Sequence, residues 1–475
     1  MNLAAILDQH PDDAPALVEG DRRLSYGQLR HRVAMARGAL AAHGVRSGDR
    51  VALLGENSIE IVVGYFALLG LGAVAVPLNP QAPEPAIRHE LNTVDAHLVL
   101  LGGGAIAPHD VTSLVISELA HTGEAPMVDV LDDVLAVLMF TSGTAGASRA
   151  AMLSHGNLVS NLKQNLSLED SIHPNDVVLN VLPLHHIFGL NVSLALTLIG
   201  GACVVLSHRF DPLDTLRLMI DEGVTVVPGA PPMWIAWSTC AEVTVPSFAK
   251  VRLALTGAAA MPEEAARAFQ GRSGLALLEG YGLTEASPVV TTTMGTSPRV
   301  GSIGRVLPGV TVRLVDEDGE DALDGDTGEV WVKGPNVFQG YWNDPEATDR
   351  VLRDGWLRTG DVAVVDDEGF LYLVDRSKDL IIVSGFNVYP AEVEETIALH
   401  PSVAEAAVIG VPHPTTGEAI RAFVVVKPGA TTPTEAEVIA HCRTFIARYK
   451  CPAEVLFLAE LPKGASGKVL RRLLR

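Results

Sequence analysis

The chain has 475 residues, of which 48% are apolar and 19% charged, and a formal net charge of −21. That length exceeds one compact core and predicts two or three packed units, and the composition excludes a disordered polymer. The acidic balance repels a polyphosphate backbone, which excludes nucleic acid as a partner; an anionic ligand must be held by local groups against the overall field.

Residues 1–13 have no basic segment, and their apolar stretch is too short for a secretory signal. Residues 61–78 are apolar over nearly a membrane's thickness. Gly70 and Gly72 break that run and Pro77 ends it, so it reads as a buried helix, a glycine turn and a buried strand. Residues 190–206 repeat the pattern, with Gly200 and Gly201 as the turn. Two such units predict a parallel sheet covered on both faces, with no transmembrane segment and at most peripheral membrane contact. Cys203, Cys240, Cys442 and Cys451 form no CxxC pair and no zinc spacing, which fits free thiols in a reducing cytoplasm.

Up to about residue 240, apolar strands at 51–54, 74–77, 98–101, 135–140, 177–182 and 224–228 alternate with helical stretches, an α/β pattern. From about residue 300 the texture changes to short alternating strands with Gly and Asp turns, a meander or small barrel. The acidic stretch 316–326 lacks the ligand spacing of an EF-hand and reads as a solvated hairpin turn. The last hundred residues form a small α+β unit, with strands at 406–409 and 422–426 and a helix over 434–449. A boundary near Asp375–Arg376 separates a domain over 1–375 from one over 376–475.

The strongest local signal is Phe140-Thr141-Ser142-Gly143-Thr144-Ala145-Gly146-Ala147-Ser148-Arg149. A buried strand empties into a loop of hydroxyls and glycines closed by a cation, the composition of a polyphosphate cradle. It is neither a Walker A loop nor a GxGxxG fingerprint nor a nucleophile elbow, and by composition alone a polar turn stays open. Five further segments follow in order: Pro183-Leu184-His185-His186-Ile187-Phe188-Gly189, Glu279-Gly280-Tyr281-Gly282-Leu283-Thr284-Glu285, Gly355-Trp356-Leu357-Arg358-Thr359-Gly360-Asp361, Asp375-Arg376-Ser377-Lys378, and Leu461-Pro462-Lys463-Gly464-Ala465-Ser466-Gly467-Lys468.

In this order the segments resemble the motifs of the adenylate-forming superfamily, and the stretches around Glu279 and Gly385 look closest to its fatty-acyl-CoA ligase branch. The resemblance covers nearly the whole chain. It implies a large N-terminal domain of layered α/β sheets with a small β-barrel-like unit, and a small mobile C-terminal domain bearing a catalytic lysine. It also implies a two-step reaction: a carboxylic acid and ATP give acyl-AMP and pyrophosphate, then coenzyme A displaces AMP. Donors, a cation and Mg2+ must stabilise the negative charge that both steps concentrate.

By resemblance, Thr141, Ser142, Gly143, Thr144 and Gly146 hold phosphates with Arg149, while Thr144 and Glu285 ligate Mg2+. Thr284 bonds the α-phosphate, and Gly257, Ala258, Ala259, Gly280, Tyr281 and Gly282 enclose adenine. Asp361 accepts both ribose hydroxyls, and Arg376 helps at the ribose. Lys468 bridges carboxylate and α-phosphate as a compact cation on a long arm. His186 lines the acid pocket, Lys378 marks the hinge, and Gly385 leaves room for pantetheine. In the family the small domain swings between the two steps.

Two departures stand out: Ser148-Arg149-Ala150 replaces the common Pro-Lys-Gly, and Thr256-Gly257-Ala258-Ala259 lacks a frequent second glycine. The apolar residues after His186 and over 226–237 imply an apolar acid tail, on a medium-chain, long-chain or aryl acid. Three alternatives stay open: an acyl-AMP ligase loading a carrier protein, an aryl-acid–CoA ligase, and a nucleotide- or acyl-binding protein without catalysis. A homodimer is compatible with all of them.

Overall fold

The computed structural model describes residues 1–119, 123–142, 148–297, 299, 301–316, 318–323, 325–376, 381–462, 469 and 473–474, and the side chains of all these but 142, 374–376, 387 and 391. Two compact units divide the chain. One comprises Met1–Pro80, Thr93–Met139 and Ala150–Asp375; the other comprises Gln81–Asn92, Phe140–Arg149 and Arg376–Arg475.

The first unit is built on a nine-stranded sheet in which Leu278–Gly282, Leu253–Thr256, Val226–Gly229, Val177–Asn180, Cys203–Leu206 and Pro15–Glu19 lie side by side, all parallel, with antiparallel strands at both edges. Successive residues of these strands face different cores. Val178, Val204, Val226 and Leu253 pack into one cluster, and Leu179, Val205, Val227 and Ala254 into another. Burial on both faces explains why the strands read as continuous apolar runs rather than as alternating ones. A second sheet of six strands runs Thr112–Val115, Leu98–Leu101, Arg50–Leu54, Val74–Leu78, Leu135–Ser142, Ser148–Ser154 in order.

The two membrane-length apolar runs resolve as expected. Ile59–Gly70 is a buried helix capped by the Ser58 hydroxyl, Gly72 turns the chain at φ +71°, and Val74–Leu78 is a buried strand. No helix among the described residues is long and apolar enough to cross a membrane. The second run differs in detail. Phe188–Ala195 winds as a π-helix before the short α-helix Leu196–Ile199, the glycine turn and the strand Cys203–Leu206. A π-helix inside an otherwise helical segment commonly marks a functional site.

The region after residue 300 forms a five-stranded antiparallel sheet: Thr311–Val315, Gly328–Lys333, Trp356–Val365 and Leu352–Arg353 in order, with Leu371–Arg376 also paired to Trp356–Val365. The acidic stretch lies in its first hairpin, where the Asp316 carboxylate accepts the N–H groups of Asp318 and Glu320 at 3.0 and 2.9 Å. Local capping of this kind is what an Asp-rich turn provides.

In the C-terminal part, Val403–His413 and Gly417–Val426 pair antiparallel, and Glu454–Leu458 lies parallel to the latter. The helix expected over 434–449 is shorter. It begins at a Thr434–Glu437 capping box and ends at Arg443, followed by a turn of 3₁₀-helix at Arg448–Lys450. The Thr444 hydroxyl bonds the His441 carbonyl at 2.6 Å and Ala447 leaves helical geometry at ψ 148°. The apolar pattern continues past the helix because Ile446 and Ala447 are buried without being helical.

Within the apolar stretch 226–237, Trp234 and Trp237 are fully buried, edge to face with each other at 5.5 Å and against Phe269 and Phe248. The surface of these two side chains is taken up by the core beneath the nine-stranded sheet. Trp234→Ala should therefore cost about 3–5 kcal/mol of stability, as aromatic truncations in packed cores do. Denaturant unfolding followed by circular dichroism checks this, and a loss below about 1 kcal/mol would contradict the core assignment.

Candidate active site

The expected site residues of the first unit gather at the carboxyl ends of its parallel strands, where open α/β sheets place their ligands. Leu253–Thr256 and Leu278–Gly282 are neighbours, with Thr256 opposite Glu279. Gly257 therefore faces Gly280, so closely that a Cβ on Gly257 would lie 3.3 Å from the Gly280 carbonyl oxygen and 3.4 Å from the Phe188 ring. That contact also brings in the His186–Gly189 segment. Ala258 takes a left-handed conformation at φ +70°. At Gly282 a Cβ would sit 2.0 Å from the Pro288 carbonyl oxygen, so glycine is required there by space alone.

Tyr281, on the same strand, donates its hydroxyl to Asp361 at 2.6 Å. Asp361 comes from the long strand Trp356–Val365, and its N–H donates to the Thr359 hydroxyl at 3.1 Å. Glu285 lies in the 3₁₀ turn Thr284–Ala286 directly after this strand. Its carboxylate accepts the Tyr341 hydroxyl at 2.6 Å. Burial pushes the Glu285 carboxyl above its ordinary value, Tyr341 opposes that shift, and the charge of Asp361 adds to it. Two acidic groups thus share one partly desolvated region, each held by a phenol.

His185 and His186 are both neutral. Burial lowers His186 to about 4, and burial together with the neighbouring His186 lowers His185 to about 3. The His186 Nδ1 accepts the Phe188 N–H at 3.4 Å. Gly189 lets this segment close in: a Cβ there would meet the Pro183 carbonyl oxygen at 2.2 Å.

The strand Leu135–Ser142 and the strand Ser148–Ser154 flank the hydroxyl–glycine loop. At its base the Thr141 hydroxyl donates to the Arg149 carbonyl at 3.4 Å and the Ser148 hydroxyl to the Thr141 carbonyl at 3.3 Å. Gly143, Thr144, Gly146, Lys378 and Lys468 lie outside the described residues, as do the side chains of Ser142 and Arg376. Gly385 sits with Ser384 in a two-residue hairpin turn, at φ +83° and +54°, between strands paired Val383 to Phe386. Such a turn demands positive φ at both positions, a reason for glycine that is independent of any ligand.

Sequence reasoning missed two residues. Tyr341 lies in the segment after Gly340, which no motif singled out, and only the fold brings it to Glu285. Glu279 was quoted within its motif and given no role; burial pushes its carboxyl up to about 7.

The residues suit a divalent cation of the hard, oxygen-seeking kind. Among the described residues no three His, Cys, Asp or Glu side chains form a cage that could hold a metal unaided. Mg2+ needs none, because it binds through one or two protein oxygens plus substrate phosphates. The Glu285 carboxylate offers such an oxygen.

The model of the AMP-binding enzyme family matches residues 3–342, and that of the AMP-binding enzyme C-terminal domain matches residues 392–468. A long-chain-fatty-acid–CoA ligase from Yersinia pestis is 35% identical over 515 aligned residues, covering 98% of this chain and 91% of its own. A feruloyl-CoA synthase from an Amycolatopsis species is 40% identical over 468, covering 96% and 94%. The structure of o-succinylbenzoate CoA synthetase from Bacillus subtilis with a bound product analogue superposes with a TM-score of 0.90 at 30% identity, covering 100% of this chain and 98% of that one. The chain belongs to the AMP-binding, adenylate-forming enzyme family. Within it the protein is an AMP-forming, ATP-dependent acid–CoA ligase, of a family that uses ATP, Mg2+ and CoA.

Two outcomes follow from the geometry. Tyr281→Phe removes a hydrogen bond to a carboxylate, so stability should fall by about 1.5–3 kcal/mol; denaturant unfolding measures it. His186, whose folded value is about 4, should stay neutral across pH 5.5–8 and show no ring-resonance inflection there by NMR. The sign is that of a histidine buried neutral. The unfolded chain takes up the proton first, so this group's contribution to stability is lost as pH falls from the ordinary 6.5 towards 4.

Proposed function

We propose that the acid activated is a medium- or long-chain fatty acid and that the acyl acceptor is free CoA. The observation that carries this reading is the stretch His185–Phe188, whose two half-buried imidazoles are uncharged and whose Phe188 ring lies beside Gly257. An acid whose tail lies against that ring gains by burying hydrocarbon, and two uncharged imidazoles set no electrostatic demand on the tail.

In the proposed site, Asp361 accepts the ribose hydroxyls while Tyr281 orients it. Gly257, Ala258, Ala259, Gly280 and Gly282 allow adenine to approach backbone. Thr284 bonds the α-phosphate, and Thr141, Ser142, Gly143, Thr144, Gly146 and Arg149 cradle the outer phosphates. Glu285 and Thr144 would hold Mg2+, which when bound neutralises phosphate charge. Lys468 bridges the attacking carboxylate and the α-phosphate, Arg376 supports the ribose, and His186 borders the acid. Lys378 is the hinge, and Gly385 flanks the thiol path. We place the activity in the cytoplasm, consistent with four free cysteines.

A second reading is an aryl acid such as ferulate, favoured by the 40% identity to the feruloyl-CoA synthase against 35% to the fatty-acid ligase. A pyrophosphate-release screen over fatty acids of graded length and over substituted cinnamates separates the two. Fatty acids should give the higher kcat/KM, and a preference for cinnamates would replace the first reading with the second. Running the thioester step with CoA and with a holo-carrier protein checks the acceptor. Lys468→Ala should nearly abolish acyl-AMP formation yet largely spare thioester formation from preformed acyl-AMP. Equal loss in both half-reactions would count against its assigned role.

A further inference from the structure

Glu285 reaches its place through a residue far along the chain. Tyr341 donates its hydroxyl to the Glu285 carboxylate at 2.6 Å, and the Phe338 N–H donates to the Glu285 backbone carbonyl at 2.8 Å. The segment supplying both groups is pinned to the strand that leaves the phosphate loop. Ala151 and Tyr341 form an antiparallel bridge. Around it, Trp342 N–H donates to the Ala150 carbonyl at 2.8 Å, Met152 N–H to Gly340 at 2.9 Å, and Gln339 N–H to Met152 at 3.0 Å. The Tyr341 N–H is held by the Thr348 hydroxyl at 2.9 Å, and its ring meets Phe338 edge to face at 5.0 Å. The phenol therefore has little freedom, and its position is set by the strand on which Arg149 and Ala150 lie.

We propose that Tyr341 is a positioning residue that orients the Glu285 carboxylate towards the metal, and that the ladder with Ala150–Met152 holds the phenol in place. This rests on the reading of Glu285 as a metal-bearing carboxylate. A carboxylate with one oxygen tied to a fixed phenol presents its remaining lone pairs in one direction, and groups behind a metal ligand govern affinity in this way. In this role its effect passes through Glu285.

The test uses the full chain with Mn2+ as a paramagnetic substitute for Mg2+. Mn2+ is titrated by electron paramagnetic resonance in the presence of an ATP analogue with a methylene bridge between the α- and β-phosphorus atoms. Binding of AMP without metal is measured by calorimetry on the same samples. Tyr341→Phe should weaken Mn2+ binding by roughly 10-fold or more, the lower end of the range for losing a group behind a ligand, and leave AMP affinity unchanged. Unchanged Mn2+ affinity, or equal weakening of Mn2+ and AMP binding, would overturn the proposal. Glu285→Gln runs in parallel. If it weakens Mn2+ binding while Tyr341→Phe does not, the inference about Tyr341 fails and the reading of Glu285 stands; if it has no effect, both fall. Should Tyr341→Phe not fold, Phe338→Leu decides: loosening the ring should weaken Mn2+ binding in the same direction, by less, and no change would overturn the proposal.

Discussion

The candidate site is organised around two carboxylates, each anchored by a tyrosine hydroxyl at 2.6 Å. Burial raises the Glu285 carboxyl, and the charge of Asp361 adds to that shift. In a chain of net charge −21 such a region cannot attract a polyphosphate by its general field. Anion binding has to come from local donors and from cations brought in with the substrate. A partner of opposite charge at Glu285 would offset both the burial and the Asp361 charge that raise its carboxyl.

The phenols make this arrangement rigid in different ways. Tyr281 belongs to the strand Leu278–Gly282, so its reach to Asp361 links the nine-stranded sheet to the antiparallel sheet that carries Trp356–Val365. Tyr341 links Glu285 to the strand through Ala151, with which it forms an antiparallel bridge. Three separate pieces of chain, each stable for its own reasons of packing, are thereby fixed relative to two oxygen atoms. Preorganised polar groups of this kind need not rearrange when charge develops, which is where enzymes gain most of their electrostatic advantage.

Much of this was legible from residue order. The helix–glycine–strand runs at 59–78 and 188–206 announced buried parallel strands, because only a sheet covered on both faces gives continuous apolar runs. Tyr281, Glu285 and Asp361 were singled out by the resemblance of their segments to family motifs. Tyr341 was not, since an aromatic next to glycine and tryptophan looks like packing until its partner, 56 positions away, is seen. Trp234 and Trp237, within the apolar stretch 226–237, make the opposite point. Apolar content says that a segment is buried, not whether it is buried by core or by ligand, and here Trp234 and Trp237 are taken up by an aromatic core with Phe248 and Phe269. The helix expected to reach Tyr449 failed for a related reason: side-chain burial continued after the backbone had left helical geometry.

The two departures from family pattern become intelligible once space is separated from angle. At Gly282 another backbone occupies the position of a side chain, with the Pro288 carbonyl oxygen 2.0 Å from any Cβ, and no alternative residue fits without moving the chain. Gly257 is tighter than usual, at 3.3 Å, against a backbone oxygen that has little room to yield. Ala258 violates only an angular preference, since φ +70° puts its Cβ near its own carbonyl at a cost of about 1–2 kcal/mol. A molecule of this size tolerates that cost without changing its fold. Ala150 meets neither constraint: it is buried within the strand Ser148–Ser154, and its carbonyl accepts Trp342 N–H at 2.8 Å as any strand residue could. At these four positions glycine stands where a neighbouring backbone fills the space, and alanine where the demand is angular or absent. The remaining departure, Arg149, places a planar guanidinium fork where the family commonly carries a lysine's point charge.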